Sequence, residues 1–502
     1  MKKILERTIL VVLSILIEYI ISYELMKYFY NEFFIIKILI SIISFLIVSN
    51  IVKNSKSVIN ELPWIIIIIM IPIPGTVLYL LVSKSIKNSK IQKSIKEEIK
   101  LSQKYYILDK DITKEIDNKQ KDILKYINNY LKYPVSKNNL VKYYKTGKEF
   151  YPDYLEDLKQ AKKYIFIEYF IISNEGIMWP EILNVLKEKA STGVEVRVMY
   201  DDMGCLPLLP ENYKEYLESL NIKCTVFNKV KILNGIFINN RDHRKITIID
   251  GKIGYTGGLN LSDEYIEQKN RFGYWKDNAI KIEGPSVWNL TIMFLTLWNS
   301  CNKEDIDYYK YLNTEKKNIK ENGYLSCYGS VPLNGVLEGE DIYLSIINKS
   351  TKYLYITTPY LIIDNDMINA LILAVRRGVD VRIIIPNIPD KKIVYELTTS
   401  YAKNLFDGGV KIYTYTPGFI HSKIFISDDN KSTVGTINLD YRSLYLHFEN
   451  GVYLEDVKEI KDIKEDVTSI IKESKELTSK DFEFNIFRKL WQSILRFIAP
   501  LF

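Results

Sequence analysis

Two copies of one short motif contain the residue types best suited to chemistry. Both copies read H-x-K-x-x-x-x-D, and together they supply six candidate catalytic groups: His243, Lys245, Asp250, His421, Lys423 and Asp428. The chain has three histidines, and two of them occupy the same position in this repeat. Residues two apart on a strand point to one face, so each histidine should project beside its lysine. A nucleophile or proton carrier beside a fixed cation is suited to a phosphodiester.

The two aspartates complete the motif but stand where a strand should end. Asp250 precedes a Gly-Lys pair, and Asp428 begins the run Asp-Asp-Asn-Lys. Both positions predict a strand that turns back in a hairpin. The pattern therefore favours aspartates that brace the turn over aspartates that touch a substrate.

Composition narrows the class of protein. A chain of 502 residues is long enough for two or three domains with a sizeable core. Its net charge of +7, from 68 basic and 61 acidic side chains, is too mild to indicate nucleic acid but suits a surface that faces anionic lipid. The four cysteines lack C-x-x-C spacing, which predicts reduced thiols in a cytoplasmic setting. With three histidines so placed, no zinc site and no cofactor are expected.

Three apolar segments, at residues 8–26, 33–52 and 62–82, place the first 83 residues at a membrane. A bilayer core of ~30 Å needs roughly 20 apolar helical residues, so two or three spans are available. A cleaved signal peptide is the alternative, but its apolar core would be shorter and further apolar segments would not follow so closely. The expected location is therefore the cell membrane, with a multi-pass anchor.

The third apolar segment should not cross the membrane as a straight helix. Basic residues flank the N-terminus, the end of the second segment and the end of the third, and three full crossings cannot place all three flanks inside. Pro72, Pro74 and Gly75 should break the third helix near its middle. We expect this segment to bend back or lie shallowly, which leaves the rest of the chain on the cytoplasmic face.

Two further segments flank the repeated region. Residues 84–145 are polar, lysine-rich and helical in pattern, which favours a solvated connector over a lipid-binding module. Residues 481–502 place apolar side chains at helical spacing with basic residues elsewhere. That pattern is typical of an interfacial amphipathic helix, although a helix docked on the protein's own core remains open.

Residues 146–315 and 316–480 repeat one plan. An apolar run at 164–170 is followed by a helical pattern that ends at Gly193 and by an apolar strand, and the run at 353–360 leads in the same way to Gly378. Strand, helix and strand in this order predict βαβ units, an α/β fold class and a largely parallel sheet in each half.

The repeat continues beyond each histidine. Gly257-Gly258-Leu259-Asn260 matches Gly435-Thr436-Ile437-Asn438 at the same distance from the motif. Glycine allows close backbone approach, and an asparagine amide can donate to an anionic oxygen. A single asparagine here would more simply be a turn residue. Its recurrence beside a paired histidine and lysine makes Asn260 and Asn438 candidates for binding phosphate.

These motifs resemble the phospholipase D superfamily, whose signature is the duplicated H-x-K-x-x-x-x-D followed by a glycine and an asparagine. More narrowly, the chain resembles the bacterial cardiolipin synthases in its apolar leader, in Tyr274-Trp275-Lys276-Asp277 and in Asn438-Leu439-Asp440-Tyr441-Arg442-Ser443. The resemblance implies two pseudo-symmetric phospholipase D-like α/β domains in one chain, preceded by an N-terminal helical membrane region.

The activity implied by the resemblance is a phosphatidyl transfer between two phosphatidylglycerol molecules that gives cardiolipin and glycerol. One neutral imidazole would attack phosphorus to form a phosphatidyl-histidine, and the other, protonated, would give a proton to the departing glycerol. Lysine and asparagine donors would neutralise the phosphate without a metal. The resemblance assigns His243 as nucleophile and His421 as acid and base, although sequence symmetry alone cannot separate them.

The resemblance also implies a carboxylate downstream of each histidine that orients its ring, acting within a half or crosswise. Asp277 and Glu449 fit this expectation. A sheet-edge charge and an exposed carboxylate are the alternatives for these two residues. His447 is expected to be structural or exposed.

Other activities use the same histidines. A phosphatidylserine synthase or a hydrolytic phospholipase D would differ only in the acceptor, and a catalytically inactive scaffold would not need both motifs intact. A nuclease is disfavoured because the chain has a membrane leader and no concentrated basic stripe. The expected partners are phosphatidylglycerol and anionic membrane lipid, with no nucleic acid and with homo-oligomerisation left open.

Overall fold

The structure is a computed structural model that describes residues 20–21, 23–24, 27, 30–54, 58–87, 90–229, 240–305, 307–315 and 319–499. The chain divides into two compact units. The larger unit consists of Lys93–Lys229 and Asn239–Gln492, so it contains both copies of the histidine motif.

The smaller unit contains the helices Tyr30–Asn54, Val58–Met70 and Pro72–Lys87. The chain bends sharply at Ile71, and the ring of Trp64 lies 5.8 Å from the ring of Tyr79. Gly75 allows this close approach, because a Cβ there would lie 2.6 Å from the carbonyl oxygen of Ile67. The apolar segment 62–82 therefore bends back on itself near Pro72, as its sequence predicts.

Within the described ranges, no helix has both the length and the apolar character needed to cross a membrane. The first predicted segment, 8–26, lies almost wholly outside the described residues. The number of membrane spans therefore stays a prediction.

The predicted connector is not purely helical. It contains the helices Lys90–Ser102, Lys110–Asn118 and Asp122–Lys125 and a π-helical turn at Tyr126–Tyr130. It then continues into the strand Leu140–Tyr144, which pairs with the last strand of the first half. The connector thus contributes an edge strand to the first sheet.

The first half is built on a seven-stranded sheet with the order β1-β8-β6-β5-β2-β3-β4. Its strands are β1 Leu140–Tyr144, β2 Tyr164–Tyr169, β3 Glu195–Asp201, β4 Lys223–Phe227, β5 Lys245–Ile249, β6 Ile253–Gly257 and β8 Ala279–Glu283. The helices of this half are Gly147–Gln160, Met178–Ser191, Asp202–Cys205, Tyr213–Ser219 and Val287–Asn302. The motif lysine of the first copy begins β5, in the middle of the sheet.

The second half is built on an eight-stranded sheet with the order β17-β12-β11-β10-β14-β15-β16-β9. Its strands are β9 Tyr324–Ser330, β10 Tyr353–Thr357, β11 Asp380–Pro386, β12 Lys411–Tyr415, β14 Ile424–Ser427, β15 Lys431–Gly435, β16 Glu449–Glu455 and β17 Ser474–Glu476. Its helices are Glu338–Lys349, Asn365–Arg376, Lys392–Asp407, Tyr441–Tyr445 and Ile460–Lys472. A separate two-stranded ribbon pairs β7 Tyr274–Lys276 of the first half with β13 Gly418–Ile420 of the second.

The prediction of largely parallel sheets was wrong, because both sheets are mixed. Helical crossovers join β2 to β3 and β3 to β4, and only these neighbours in the first sheet run parallel. The motif strand β5 is joined to β6 by a tight turn at Asp250 and Gly251, both with positive φ, so these two strands are antiparallel. A three-residue turn can join only antiparallel neighbours. The hairpin predicted at Asp250 and Asp428 is therefore confirmed, and it is the reason that the sheets are mixed.

The helix Val287–Asn302 joins the two halves. Nearly all of its residues are buried, as expected of a helix that is apolar on all sides. It contacts β5 of the first sheet and β9 of the second, and the amide of Asn289 donates to the carbonyl of Cys327 on β9 at 3.0 Å. The two sheets therefore share a core.

The last helix, Ile486–Ile498, docks through polar residues. The guanidinium of Arg488 pairs with Glu396 at 2.8 Å, and the amide of Gln492 donates to the hydroxyl of Thr399 at 3.2 Å. Most of its apolar side chains are exposed, Phe487 at 80%, whereas Leu495 is buried. Exposed apolar side chains on one helix are the pattern that an interfacial helix requires, and the interfacial role stays a prediction.

Candidate active site

The backbone of each motif histidine is held by the opposite half. The His243 N–H donates to the carbonyl of Phe448 at 2.9 Å, and the His421 N–H donates to the carbonyl of Lys276 at 2.7 Å. Phe448 immediately precedes Glu449, and Lys276 immediately precedes Asp277. One backbone contact therefore places each candidate carboxylate beside the histidine of the other half.

The carboxylates bind the histidines crosswise. His243 Nδ1 lies 2.9 Å from both carboxylate oxygens of Glu449, and His421 Nδ1 lies 2.6 Å from Asp277 Oδ2. Both carboxylates are fully buried, so neither is the sheet-edge charge or exposed group considered from the sequence. A carboxylate on Nδ1 fixes the tautomer and leaves Nε2 available to a substrate.

The two histidines share one electrostatic environment. Burial lowers the pKa of His243 well below its usual range, and Lys245, Lys423 and His421 lower it further. Burial and Lys423 lower the pKa of His421 to about 4, against the opposing field of Asp277. Each histidine is thus within the field of groups from both halves, and both imidazoles are neutral near pH 7 before a substrate binds.

The two carboxylates differ in charge. Burial raises the pKa of Glu449 well above its usual range, although Lys245 and a hydrogen bond from Thr436 oppose the rise. Burial also acts to raise the pKa of Asp277, but His421 and Lys423 outweigh it, so the pKa of Asp277 lies below its usual value. The carboxylate behind His421 is therefore the more firmly ionised of the two.

One substitution between the repeats makes the two carboxylate sites unequal. Gly258 N–H donates to the carbonyl of Asn278 at 3.1 Å, and Thr436 N–H makes the equivalent bond to Asn450 at 2.9 Å. The Thr436 hydroxyl donates to Glu449 Oε2. Gly258 has no side chain, and a Cβ at that position would overlap Asp277 Oδ1. In the first half, Gly258 therefore leaves room for the Asp277 carboxylate but provides no side-chain donor. In the second half, the Thr436 hydroxyl donates to the Glu449 carboxylate.

The motif lysines lie beneath the histidines. Lys245 Nζ donates to the carbonyl of His243 at 2.6 Å, and Lys423 Nζ donates to the carbonyl of His421. Burial lowers the pKa of Lys245 to about 7 and the pKa of Lys423 to about 8. An ammonium group has three donors, so each lysine can also donate to a bound anion.

The two asparagines are placed less simply than the repeat predicts. Asn260 Oδ1 accepts from Ile171 N–H at 3.1 Å, and its amide donates to the Tyr265 hydroxyl at 2.7 Å. Asn438 is buried beside Asp440, and its Oδ1 has no hydrogen-bond partner among the described residues. Asn260 is therefore already engaged by the protein, so its phosphate contact stays a prediction that requires one of these bonds to be exchanged.

Asp250 and Asp428 do not lie with the histidines. Asp250 accepts from the backbone N–H groups of Lys162, Lys163 and Tyr164 at 2.7–2.9 Å. Asp428 accepts in the same way from residues 351–353, at 2.7–3.0 Å. Each aspartate comes five residues after its motif lysine, just beyond the end of the strand. At a rise of ~3.3 Å per residue, the aspartate is about 16 Å along the strand from the lysine. These contacts favour the bracing role of both aspartates over a direct role in catalysis.

Sequence reasoning missed the residues that surround each histidine. The rings of Tyr265, Trp275 and Phe419 lie 5.6, 5.6 and 5.9 Å from the ring of His421. On the other side, the ring of His447 lies 5.8 Å from that of His243 and its side chain is 10% exposed, so of the two expectations, structural or exposed, the exposed one was wrong. Trp275 belongs to the motif Tyr274-Trp275-Lys276-Asp277, but the motif by itself indicates no role for the tryptophan. No local sequence pattern singles out His447.

Comparisons with known proteins agree with this geometry. A family model described as cardiolipin synthase, phospholipase D-like domain, matches residues 154–286 and 343–471, one match in each half. The chain is also 33% identical to cardiolipin synthase 1 of Staphylococcus aureus strain MRSA252, over 89% of this chain and 93% of that protein. The chain belongs to the cardiolipin synthase family.

Two further comparisons describe the range of this family and fold. An uncharacterized protein of Streptococcus mutans serotype c is 41% identical, over 90% of this chain and 98% of its own length. Among solved structures, the phosphatidylserine synthase of Haemophilus influenzae Rd KW20 is similar with a TM-score of 0.57 and 18% identity, over 76% of this chain and 97% of that one. At that identity the similarity concerns the fold alone, with its two α/β halves and mixed sheets.

As a member of the cardiolipin synthase family, the protein is a phosphatidyltransferase of the phospholipase D type. In this chain, the crosswise histidine and carboxylate pairs bring residues of both halves to the candidate site.

Proposed function

We propose that the protein transfers a phosphatidyl group from one phosphatidylglycerol to another through a phosphatidyl-histidine, giving cardiolipin and glycerol. The observation that carries the proposal is the pair of buried imidazoles, each held at Nδ1 by a carboxylate from the opposite half. Double displacement at phosphorus needs one nitrogen as nucleophile and a second group to move a proton, and this pair supplies both.

In the first half-reaction, His243 Nε2 attacks phosphorus and the bond from phosphorus to the glycerol oxygen breaks. The proton on His421 Nε2 passes to that oxygen, so free glycerol leaves. In the second, His421 takes the proton from a glycerol hydroxyl of another phosphatidylglycerol. That oxygen then attacks phosphorus, His243 is released and cardiolipin is formed.

The unequal carboxylates support this assignment of roles. Asp277, whose pKa lies below its usual value, can stabilise a positive charge on His421, as a general acid requires. Burial raises the pKa of Glu449, so less negative charge stands behind His243 and its imidazole stays neutral and nucleophilic. A bound phosphodiester anion would raise the pKa of His421 from its value in the free protein and so allow it to carry the proton.

Lys245 and Lys423 supply the positive charge that a phosphodiester needs when a nucleophile approaches. Both amino groups are fixed by the histidine carbonyls before the substrate arrives, and the negative charge of a bound phosphodiester favours their protonated form. Preorganised donors of this kind are typically worth ~3–4 kcal/mol each in the transition state. Asn260 and Asn438 are proposed to add amide donors to the same phosphate.

The site also needs to stay at a membrane, because its proposed substrates are lipids. We propose that the first 83 residues form the anchor and that the helix Ile486–Ile498 lies in the interface with its apolar side chains in the lipid. In that helix Ile486, Phe487 and Leu490 are 76%, 80% and 61% exposed. We further propose that the catalytic halves face the cytoplasm, which cysteine labelling after residue 100 from each side of the membrane would test.

The deciding experiment is a reaction of the purified full-length protein with phosphatidylglycerol as the only lipid. We expect cardiolipin and glycerol in equal amounts, and at least ~10²-fold less of both from His243→Ala or His421→Ala. Phosphatidic acid without cardiolipin would show a hydrolase and contradict the proposal.

A second assay isolates the first half-reaction. Labelled glycerol should exchange into phosphatidylglycerol, because the reverse of the first step returns glycerol to the phosphatidyl-enzyme. Exchange requires no acceptor lipid, so it separates formation of the intermediate from cardiolipin synthesis. A mechanism of direct transfer between two bound lipids would show no exchange.

The interfacial role of the last helix can be tested with Phe487→Ser combined with Leu490→Ser. We expect activity on vesicles to fall while activity on detergent-dispersed substrate is kept, because only the vesicle surface has to be bound. Leu206→Ser is the matched control, since Leu206 is 54% exposed and lies on a different part of the chain. Equal losses in both assays would argue against the interfacial role.

A further inference from the structure

His447 is a buried imidazole that the proposed mechanism does not use. Its side chain is 10% exposed, and its ring lies 5.8 Å from that of His243. Its Nδ1 lies 3.8 Å from Glu449 Oε1, which is beyond hydrogen-bond distance. Neither of its ring nitrogens has a hydrogen-bond partner among the described residues. A buried polar group left without a partner is destabilising, so this ring is a candidate ligand.

His447 completes a set of three metal-ligating groups. One ligand atom from each of His243, His447 and Glu449 can be chosen so that all three lie within 4.8 Å of one another. Two imidazoles and one carboxylate form a known ligand set for Zn²⁺, which binds at ~2.0–2.2 Å and keeps a fourth position for water. Glu449 is already 2.9 Å from His243 Nδ1, so a small movement of the His447 ring would close the set.

We propose that His243, His447 and Glu449 bind one Zn²⁺ and that the bound ion inhibits the protein. One nitrogen of each imidazole and one oxygen of Glu449 would coordinate the ion. The proton of His243 would move from Nδ1 to Nε2, which frees Nδ1 to coordinate the ion and leaves Nε2 unable to attack phosphorus, and a water molecule would take the fourth position. No electron is transferred and no substrate bond is broken.

The second histidine pair provides an internal contrast. His421 and Asp277 are surrounded by the rings of Tyr265, Trp275 and Phe419. Among the residues with described positions, no third ligand group joins this pair. The asymmetry predicts one zinc ion per chain, on the His243 side.

Neighbouring positive charge sets a limit on the affinity. Lys245, Arg241 and Arg442 are close enough to His447 to oppose a cation there. Asp201 partly offsets this charge, since its carboxylate lies 3.6 Å from Arg241. The ion should therefore bind reversibly and more weakly than in a structural zinc site. Inhibition follows because the ion ties up His243, and this consequence rests on the proposed function, whereas the binding itself does not.

The binding test uses the full-length protein with Zn²⁺ in calorimetry and with Co²⁺ in absorption spectroscopy, where a tetrahedral site gives a visible band. We expect one equivalent bound by the natural protein and by His421→Ala. His447→Gln and His243→Ala should bind at least ~10-fold more weakly, as loss of metal-site interactions commonly causes. If His447→Gln binds as tightly as the natural protein, or if His421→Ala weakens binding equally, the proposal is wrong.

A second substitution guards against a variant that fails to fold. His447→Cys replaces one zinc ligand by another, so it should bind the ion when His447→Gln does not. Failure of a folded His447→Cys to bind zinc would contradict coordination at this position.

The activity test is the ratio of glycerol exchange with and without Zn²⁺ in the same variant. The natural protein should be inhibited, with recovery on chelation, and Mg²⁺ should not replace Zn²⁺ because it prefers oxygen ligands. His447→Gln should need at least ~10-fold more Zn²⁺ for the same inhibition. Equal inhibition of both proteins would overturn the proposal, whereas absence of any exchange in the natural protein would count against the proposed function and leave the binding test standing.

Discussion

His243 and Glu449 stand 206 residues apart in the chain, yet His243 Nδ1 lies 2.9 Å from both oxygens of the Glu449 carboxylate. The pair His421 and Asp277 repeats the relationship in the opposite direction. Neither half of the molecule therefore holds a complete site. The proposed chemistry depends on the packing of the two halves, which the shared helix Val287–Asn302 and the ribbon of β7 with β13 maintain.

The roles of the two histidines can be separated with a phosphatidyl ester of p-nitrophenol. This leaving group needs no proton, so His421→Ala should still form the phosphatidyl-enzyme and release one equivalent of p-nitrophenol. With phosphatidylglycerol, the same variant should lose ~10²–10⁴-fold, the usual contribution of a general acid. Rapid quenching and peptide mapping should place the phosphatidyl group on His243. A group mapped to His421 in the active protein would reverse the assignment.

The space behind Asp277 can be tested with Gly258→Ala and Thr436→Ser. A methyl group at residue 258 would overlap Asp277 Oδ1 and push the carboxylate away from His421. We expect at least a ~10²-fold loss of kcat, because a displacement of about 1 Å at a positioning group can cost that much. Thr436→Ser keeps the hydroxyl donor to Glu449 and should be nearly neutral. Gly258→Ala with natural activity and folding would refute the steric argument.

The buried, neutral His421 should make stability depend on pH. Its pKa of about 4 lies below the ~6.5 of an unfolded histidine, so between these values the unfolded chain binds more protons. The stabilising effect of a higher pH is therefore complete above ~6.5 and is lost as the pH falls toward 4, at up to ~1.4 kcal/mol per pH unit. Glu449 acts in the opposite direction, since its pKa is raised.

The contribution of His421 is isolated by comparison with His421→Gln, which cannot titrate in this range. The melting temperature of the natural protein minus that of the variant should rise from pH 4 to 6.5 and then level off. A difference that is flat across this range would show that His421 is not held neutral by burial.

The bracing role of Asp428 predicts a loss of stability rather than of chemistry. Asp428→Ala removes the acceptor of three backbone N–H groups and leaves a non-glycine residue at φ +54°. We expect a loss of about 2–4 kcal/mol of unfolding free energy, from hydrogen bonds to a charged group and from the left-handed backbone. Asp428→Asn should lose less, because asparagine tolerates this conformation and keeps one acceptor. The measurements are thermal unfolding and kcat per folded molecule, and a catalytic role would show instead as a lower kcat at unchanged stability.

Several features of the fold could be predicted from local sequence patterns. The bend at Pro72 and the hairpins at Asp250 and Asp428 follow from residues whose backbone preferences act over a few positions. The prediction of parallel sheets fails because crossover helices make only their own strands parallel, as in β2, β3 and β4, whereas each hairpin adds strands in antiparallel pairs. The engagement of Asn260 by Ile171 and Tyr265 could not be predicted, because it depends on loops that meet only in the folded chain.

By itself, the sequence determined the duplicated His and Lys motif, the two α/β halves and the class of chemistry, because repeated spacing records which residues share a strand face. It also indicated that Asp277 and Glu449 serve the histidines, but it left open which carboxylate serves which ring. Only the tertiary structure decided the crosswise pairing, the unequal charge of the two carboxylates and the position of His447 beside His243. The physical reason is that these features depend on burial and on contacts between distant segments, which local spacing does not encode.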